Sequence, residues 1–168
     1  MKTAVFEKVS ERQFDEDLKK LLAKEGCFYE NIVVPKRATS GSAGYDFHSP
    51  VSVDLKPGES IRIPTGIRCH LNEEYLLQIY PRSSMGFKYQ MCLMNTVGII
   101  DSDYYYADNE GHIIVGIVNR GDRDLHIEAG DRFVQGVITR YYTTDDDDCK
   151  EVRHGGFGST DCAHSSKG

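Results

Sequence analysis

The sequence has no excess of basic residues, and this absence limits the partners that the protein can bind. It contains 20 lysines and arginines against 26 aspartates and glutamates, which gives a net charge of −6. A protein that coats nucleic acid needs a basic face, because its binding is driven by the release of counterions from the phosphates. We therefore expect no nucleic-acid partner, and any anionic ligand must be held by a local basic cluster.

Paired cysteines and long apolar runs are also missing. The five cysteines are odd in number and contain no C-x-x-C pair, which disfavours a disulfide framework and a zinc ribbon, and the six histidines show no zinc-binding spacing. No apolar run approaches the roughly 18 residues of a membrane span, and no signal peptide is readable. We expect reduced thiols, no membrane contact and a cytoplasmic location.

What is present predicts one domain with three segments. A chain of 168 residues is long enough for a single core, because it buries roughly two-thirds of its unfolded surface without a metal or disulfide. Residues 1–29 are expected to form an N-terminal strand and helix extension. Residues 30–144 form the core, and residues 145–168 form an acidic linker followed by a glycine-rich segment.

The first segment carries the one convincing helix. Ser10 and Gln13 have the spacing of a capping box, and Gly26 can end the helix in the left-handed conformation. The apolar residues between them recur at helical spacing: Phe14, Leu18, Leu21 and Leu22. This pattern predicts an amphipathic helix that packs on a larger body.

From residue 51 onward the apolar period changes to two. Short alternating segments are separated by turn signals such as Pro57-Gly58, and no helix-length pattern recurs between them. The predicted strands are 51–55, 61–63, 67–71, 76–80, 113–118, 125–127 and 133–142. They predict an all-β sandwich or barrel and argue against a parallel α/β sheet.

The stretch of residues 95–104 ends an apolar arm in two carboxylates, Asp101 and Asp103, which are followed at once by tyrosines. One interpretation is a strand that leaves the core into a polar turn, since aspartates commonly begin turns. The other is a functional site, because a charge beside a buried run is costly unless it is paired or used.

A second candidate is the glycine-rich segment 153–160. Its glycines allow backbone N–H groups to approach phosphate oxygens, Arg153 supplies a charged fork, and Ser159 and Thr160 add donors. Phe157 can cover a flat base. The alternative is a C-terminal tail without function.

Three further polar clusters interrupt the strands. Arg82, Ser83 and Ser84 follow a predicted strand and suit a phosphate, because a guanidinium binds its oxygens in pairs. Asp46 follows a glycine turn, and Gln135 stands in an otherwise apolar run. Each cluster alone is equally consistent with turn or sheet chemistry.

The order of these clusters resembles the five motifs of the trimeric dUTPases (deoxyuridine triphosphatases). The segments that carry the resemblance are Ala43-Gly44-Tyr45-Asp46, Pro81-Arg82-Ser83-Ser84, residues 95–104, Gly130-Asp131-Arg132 through Gln135, and residues 153–160. The resemblance implies a β jelly roll that forms a homotrimer, with each active site built from motifs of different subunits. It also implies Mg²⁺-assisted hydrolysis of dUTP to dUMP and pyrophosphate, which limits uracil incorporation into DNA and supplies dUMP for thymidylate synthesis.

The resemblance also implies roles for single residues. Asp101 would hold the attacking water and accept its proton, Asn95 and the backbone around Gly98 would bind the uracil edge, and Tyr104 would pack against the deoxyribose. An aspartate is a weak base, so it contributes mainly where it is well positioned.

The remaining motifs would serve the phosphates. Arg82, Ser83 and Ser84 would contact them, Gln135 would lie near the water, and Asp46 would reach Mg²⁺ through a water molecule. The glycine-rich segment would close over the substrate as a lid formed by Arg153, Phe157, Gly158, Ser159 and Thr160.

The sequence departs from the family pattern at two places, and two alternative functions remain. Residues 105–110 lengthen the hairpin after the third motif, where the family often has a tight Gly-Glu turn, and the N-terminal helix lies outside the motifs. dCTP deamination would need a general-base glutamate in the strand at residues 115–119, which has none. The other alternative is a trimeric binding or regulatory module that keeps the nucleotide site.

Overall fold

The computed structural model describes residues 3–24, 26 and 28–151, and most of the ordered backbone there is antiparallel β-sheet. The strands are β1 (Ala4–Lys8), β2 (Lys36–Arg37), β3 (Tyr45–His48), β4 (Val53–Leu55), β5 (Ser60–Pro64), β6 (Ile67–Leu71), β7 (Tyr75–Pro81), β8 (Met91–Leu93), β9 (Gly98–Ile100), β10 (Ile114–Asn119), β11 (Leu125–Ile127) and β12 (Arg132–Arg140). The helices are α1 (Glu11–Leu22) and α2 (Ser83–Tyr89), with 3-10 turns at Tyr29–Asn31 and Ser102–Tyr106.

The strands form one large sheet and three smaller ones. The large sheet has the order β2-β3-β12-β7-β9, a second has the order β5-β10-β8, and β1-β6 and β11-β4 are pairs. Neighbours in sequence are often not neighbours in a sheet, as in a jelly roll, where strands return from distant parts of the chain. The all-β, jelly-roll-like prediction is confirmed.

Side chains that alternate along the strands fill one core. In β10, Val115 and Ile117 are buried, while Ile114, Gly116 and Val118 are partly exposed. Phe47, Leu77 and Phe133 of the large sheet are no more than 1% exposed and join the same core. This alternation is what makes the strands readable from the sequence, because successive side chains point to opposite faces.

The amphipathic helix α1 packs on this core through Phe14 and Leu18, which are 0% and 1% exposed. Burial of each stabilises the fold by about 1.5–3 kcal/mol. The predicted cap is half right: the Ser10 hydroxyl accepts from the Gln13 N–H at 3.2 Å, but the Gln13 side chain donates to Asp17 instead of returning to Ser10. The helix also ends before Gly26, with φ of 50° at the residue after Leu22.

The structure adds a second helix that the sequence did not predict. α2 follows β7 and has seven residues, with Arg82 at its N-cap and a left-handed Gln90 at its end. Two turns are too short for a helical period to be recognised in a sequence. In the part of the chain that the structure describes, no helix is long and apolar enough to cross a membrane.

Candidate active site

Two arginines converge on one buried carboxylate of the large sheet. Asp46 lies on β3 and is 7% exposed. Its Oδ1 lies 3.0 Å from Arg82 Nε and its Oδ2 lies 3.1 Å from Arg132 Nη1. Two guanidiniums on one carboxylate leave a net positive charge at the surface, and their remaining N–H groups can bind an anion such as a phosphate.

Sheet register brings Gln135 to the same place. Gln135 pairs with Asp46 on one side and with Tyr80 on the other, and its amide donates to Pro81 O at 3.3 Å. The side chain fits there because Gly44 has none: a Cβ on Gly44 would lie 2.3 Å from Gln135 Oε1. Three of the predicted motifs therefore meet in one cluster.

The two serines of the second motif begin α2 beside Arg82. Ser83 and Ser84 are both exposed, so their hydroxyls are accessible to a ligand at the cluster. The Arg82 backbone is held from two directions, since its N–H donates to Phe133 O at 3.2 Å and its carbonyl accepts from the first turn of α2. The fold thus fixes the point from which the guanidinium extends.

β8, β9 and the turn between them border a cleft of about 660 Å³. Asn95 and Gly98 line it, and the turn between the strands uses a left-handed Thr96, with φ of 67°. Gly98 is needed because a Cβ would lie only 3.0 Å from Ile79 Cβ. α1 lines the other side of this cleft with Lys20 and neighbouring residues, which the sequence did not indicate.

Asp101 lies at the end of β9, in a separate groove of about 580 Å³ that Leu76 also lines. β7 and β9 are antiparallel, with Ile79 opposite Gly98 and Leu77 opposite Ile100. Leu76 and Arg82 are six positions apart along β7, which corresponds to about 20 Å at the usual rise of a strand. Within one chain, Asp101 and Arg82 are therefore at opposite ends of β7.

Tyr104 is buried rather than exposed to a ligand at the surface. The residue is 2% exposed, its hydroxyl donates to His112 O at 2.8 Å, and the Asn109 side chain donates to that hydroxyl at 2.8 Å. The ring therefore supports the segment between β9 and β10 from inside, and little of the ring is exposed at the surface. Its predicted contact with a deoxyribose stays a prediction.

Two residues outside the motifs support this region and were missed by the sequence analysis. The His112 ring is fully buried, and its Nδ1 lies 2.6 Å from Asp17 Oδ2 of α1. Burial alone would raise the pKa of Asp17, but hydrogen bonds from His112 and Gln13 outweigh it and hold the pKa below the ordinary value. A histidine within residues 105–113 carries no sequence signal that identifies a partner 95 positions earlier.

Arg132 belongs to the fourth motif, and the sequence assigns it no role. Its sequence signal is a cation at the start of an apolar strand, directly after Gly130-Asp131. The predicted lid residues lie outside the described part of the chain: Arg153, Phe157, Gly158, Ser159 and Thr160.

Metal binding is compatible with these donors only if the ligand brings most of the oxygens. Among the described residues, no three His, Cys, Asp or Glu side chains converge to hold an ion. Both oxygens of Asp46 already bind arginines. Mg²⁺ usually keeps several waters and takes phosphate oxygens, so an ion carried by a triphosphate fits this site, with Asp46 reached through water.

Comparisons with known proteins agree with the geometry. Residues 30–161 match the family model described as dUTPase. The deoxyuridine 5'-triphosphate nucleotidohydrolase of Lactococcus lactis subsp. lactis is 44% identical over 137 residues, which cover 79% of this chain and 91% of that protein. The crystal structure of the Streptococcus mutans dUTPase has a TM-score of 0.65 at 33% identity and covers 83% of this chain and 98% of that chain.

A more distant structure shares the fold alone. The dUTPase of phage phi11 of S. aureus has a TM-score of 0.65 at 21% identity, and the match covers 89% of this chain and 97% of that chain. A structure of a variant of that phage protein describes the coordination of a structural Mg(II) ion.

Proposed function

The chain belongs to the dUTPase family and is a dUTP diphosphatase, and from this premise we propose that it cleaves dUTP to dUMP and pyrophosphate at sites shared within a homotrimer. The reaction is attack of water at the α-phosphorus, assisted by Mg²⁺. It limits uracil incorporation into DNA and supplies dUMP for thymidylate synthesis. We assign the protein to the cytoplasm, as its composition predicts.

The observation that carries the shared site is the separation of Asp101 from Arg82 along β7. A general base must lie within hydrogen-bond reach of the water that attacks the phosphorus. A guanidinium about 20 Å away, as the rise of β7 implies, cannot bind the phosphates of that same substrate. A second copy of the chain can supply Arg82 to each Asp101, and a closed ring of three copies repeats this contact three times.

The length of a nucleoside matches the spacing of two proposed binding points along β9. Gly98 and Asp101 are three residues apart on an extended strand, or about 10 Å. A uracil at the turn and an α-phosphate at the carboxylate are separated by about the length of one nucleoside. In this proposal Asn95 and the backbone of the turn bind the uracil edge, and Asp101 orients the water and accepts its proton. Tyr104 contacts the sugar.

Attack of water at a phosphorus depends mainly on positioning the water and the phosphates and on neutralising the charge that develops in the transition state. Arg82, Ser83 and Ser84 provide the donors, and Gln135 orients the water or a phosphate oxygen beside them. A bound Mg²⁺ would neutralise phosphate charge and align the leaving pyrophosphate, with Asp46 holding one of its waters. The glycine-rich segment closes the site: Arg153, Phe157, Gly158, Ser159 and Thr160.

A substrate panel tests this proposal. The purified protein is incubated with Mg²⁺ and with dUTP, dTTP, dCTP or UTP in turn, and pyrophosphate is followed. We expect release from dUTP and little from the others, because the turn between β8 and β9 binds uracil and Tyr104 excludes a 2′-hydroxyl. Equal rates with all four would contradict the assignments of the base and sugar contacts.

Two variants locate the chemistry. Asp101→Asn keeps the size of the side chain but removes the base, so its turnover should fall by a factor of at least about 10². Asp122→Asn removes an exposed carboxylate in the turn after β10 and should behave as the wild type. An active Asp101→Asn enzyme would remove Asp101 from its proposed role.

A further inference from the structure

Hydrogen bonds join the N-terminal extension to the segment that follows Asp101 at three pairs of residues. These two parts of the chain are the features that the dUTPase motifs do not include. Each contact joins a polar side chain of the extension to a residue of the 105–112 segment: Glu7 to Tyr105, Ser10 to Glu110, and Asp17 to His112. The extension therefore supports the 105–112 segment, where the family often has a tight turn.

The contact between Asp17 and His112 is the most buried of the three. The His112 side chain is 0% exposed and the Asp17 side chain is 16% exposed. His112 Nε2 accepts from the Gly66 N–H at 2.8 Å, so the neutral ring carries its proton on Nδ1 and donates it to Asp17 at 2.6 Å. Both ring nitrogens are occupied, which fixes the ring in one orientation.

A short path leads from this ring to the proposed base. The His112 carbonyl accepts from the Tyr104 hydroxyl at 2.8 Å, and the Tyr104 backbone N–H donates to the Asp101 carbonyl at 3.2 Å. Tyr104 is buried, so its position follows that of His112. Moving the His112 backbone would therefore move the start of the Ser102–Tyr106 turn, whose N-cap is Asp101.

We propose that Asp17 is a positioning residue for dUTP hydrolysis: it fixes His112 and, through Tyr104, holds the backbone that carries the Asp101 carboxylate. The inference rests on the proposed function, because it assigns the reaction to Asp101. Asp17 also lines the cleft that Asn95 and Gly98 border, so the proposal assigns it an effect on kcat, whereas a direct contact with the substrate would change mainly KM. A displacement of about 1 Å at a reacting group can cost about 10²-fold in rate, which gives the residue its importance.

The test compares kcat and KM of Asp17→Asn with those of Asp15→Asn, a matched change on the exposed face of the same helix. The rate is expressed per site that binds the imido analogue dUpNHpp, so that unfolded protein does not count. We expect kcat of Asp17→Asn to fall by about 10-fold to 100-fold, with KM changed less than about threefold. Asp15→Asn should match the wild type. A kcat of Asp17→Asn within twofold of the wild type would overturn the proposal.

A second arm asks whether Asp17 acts through His112. His112→Gln keeps an acceptor for the Gly66 N–H but places no donor at the position of Nδ1, so the hydrogen bond to Asp17 is lost. If the two residues act as one unit, the double variant should be no slower than the slower single variant. If the two losses multiply instead, Asp17 acts by another route and the proposal is wrong.

A more conservative variant covers the case in which Asp17→Asn does not fold. Asp17→Glu keeps the charge but displaces the carboxylate by one methylene, and we expect kcat to fall by a factor of about 3 to 10. An unchanged kcat would again overturn the proposal. Asp101→Asn, measured alongside, separates the two failures: if it is as active as the wild type, the proposed function has failed rather than the role of Asp17.

Discussion

Ser10 and Glu110 are joined by two hydrogen bonds, one from the Ser10 backbone N–H at 2.8 Å and one from its hydroxyl at 2.6 Å. The capping box expected between Ser10 and Gln13 is thus completed by a carboxylate one hundred positions later in the chain. Glu110 belongs to the 105–110 insertion, whereas Ser10 begins the helix that the family motifs lack. Each of these two departures from the family pattern therefore stabilises the other.

Replacing Glu110 by glutamine should weaken the cap of α1 by about 1 kcal/mol at neutral pH, because a charged acceptor is lost at the N-terminus of a helix. The hydrogen bonds from the Ser10 side chain and backbone hold the pKa of Glu110 below its ordinary value. Its contribution to stability is therefore fully present above that ordinary value, near pH 4.5, and is lost as the pH falls through the lower folded value.

Urea unfolding of the wild type and of Glu110→Gln, measured between pH 7 and pH 3, tests both the predicted loss of stability and its dependence on pH. The difference in the free energy of unfolding should be constant at higher pH and should shrink in acid. Glu16→Gln, on the exposed face of α1, serves as the control and should show no difference at any pH. A difference that grows in acid would contradict the cap.

Adding a methyl group at Gly44 should lower activity without unfolding the protein. A Cβ there would lie 2.3 Å from Gln135 Oε1, the far end of a flexible side chain, so the amide moves while the backbone stays. We expect kcat of Gly44→Ala to fall by about tenfold, since a displaced group no longer orients the reaction. Gly41→Ala, which meets nothing within 4 Å, should keep the wild-type rate in the same steady-state assay. Equal rates for the two variants would remove Gln135 from the site.

Exchanging Arg82 for lysine keeps the charge but loses the planar fork that binds Asp46 and a phosphate together. We expect kcat/KM for dUTP to fall by about 10²-fold to 10³-fold, the usual effect of losing a donor to developing charge. Arg140→Lys, at the far end of β12 and paired with Glu74, should change kcat/KM less than about twofold. A comparable loss of kcat/KM in both variants would contradict a phosphate contact of Arg82, because Arg140 lies far from the proposed site.

The strands were predictable because half of each strand's side chains are buried. Ile67–Leu71 and Leu125–Ile127 have the predicted bounds. The first alternates between buried and partly exposed residues, and the second between buried and exposed residues. β3 was missed because two of its four residues, Asp46 and His48, are polar and follow a glycine, a pattern that predicts a turn. β8 was missed because its three residues, Met91–Leu93, are all apolar and therefore show no alternation in the sequence.

Contacts between distant residues were beyond the sequence. The motif order indicated that Asp46, Arg82 and Gln135 share a function, but not that two arginines bind Asp46, because that pairing depends on sheet register. The contact between Asp17 and His112 likewise depends on how α1 lies against the insertion. Composition gives no sign of either arrangement.

Mixed trimers of two inactive chains test the shared site most directly. Asp101→Asn and Arg82→Ala chains are each expected to be inactive, and they are unfolded together, refolded at equal amounts and verified as mixed trimers. If each site takes Asp101 from one copy and Arg82 from another, about one quarter of the sites in random trimers regain both residues. We predict recovery of dUTP turnover to about that fraction of the wild-type rate. No recovery in verified mixed trimers would contradict a site shared between subunits.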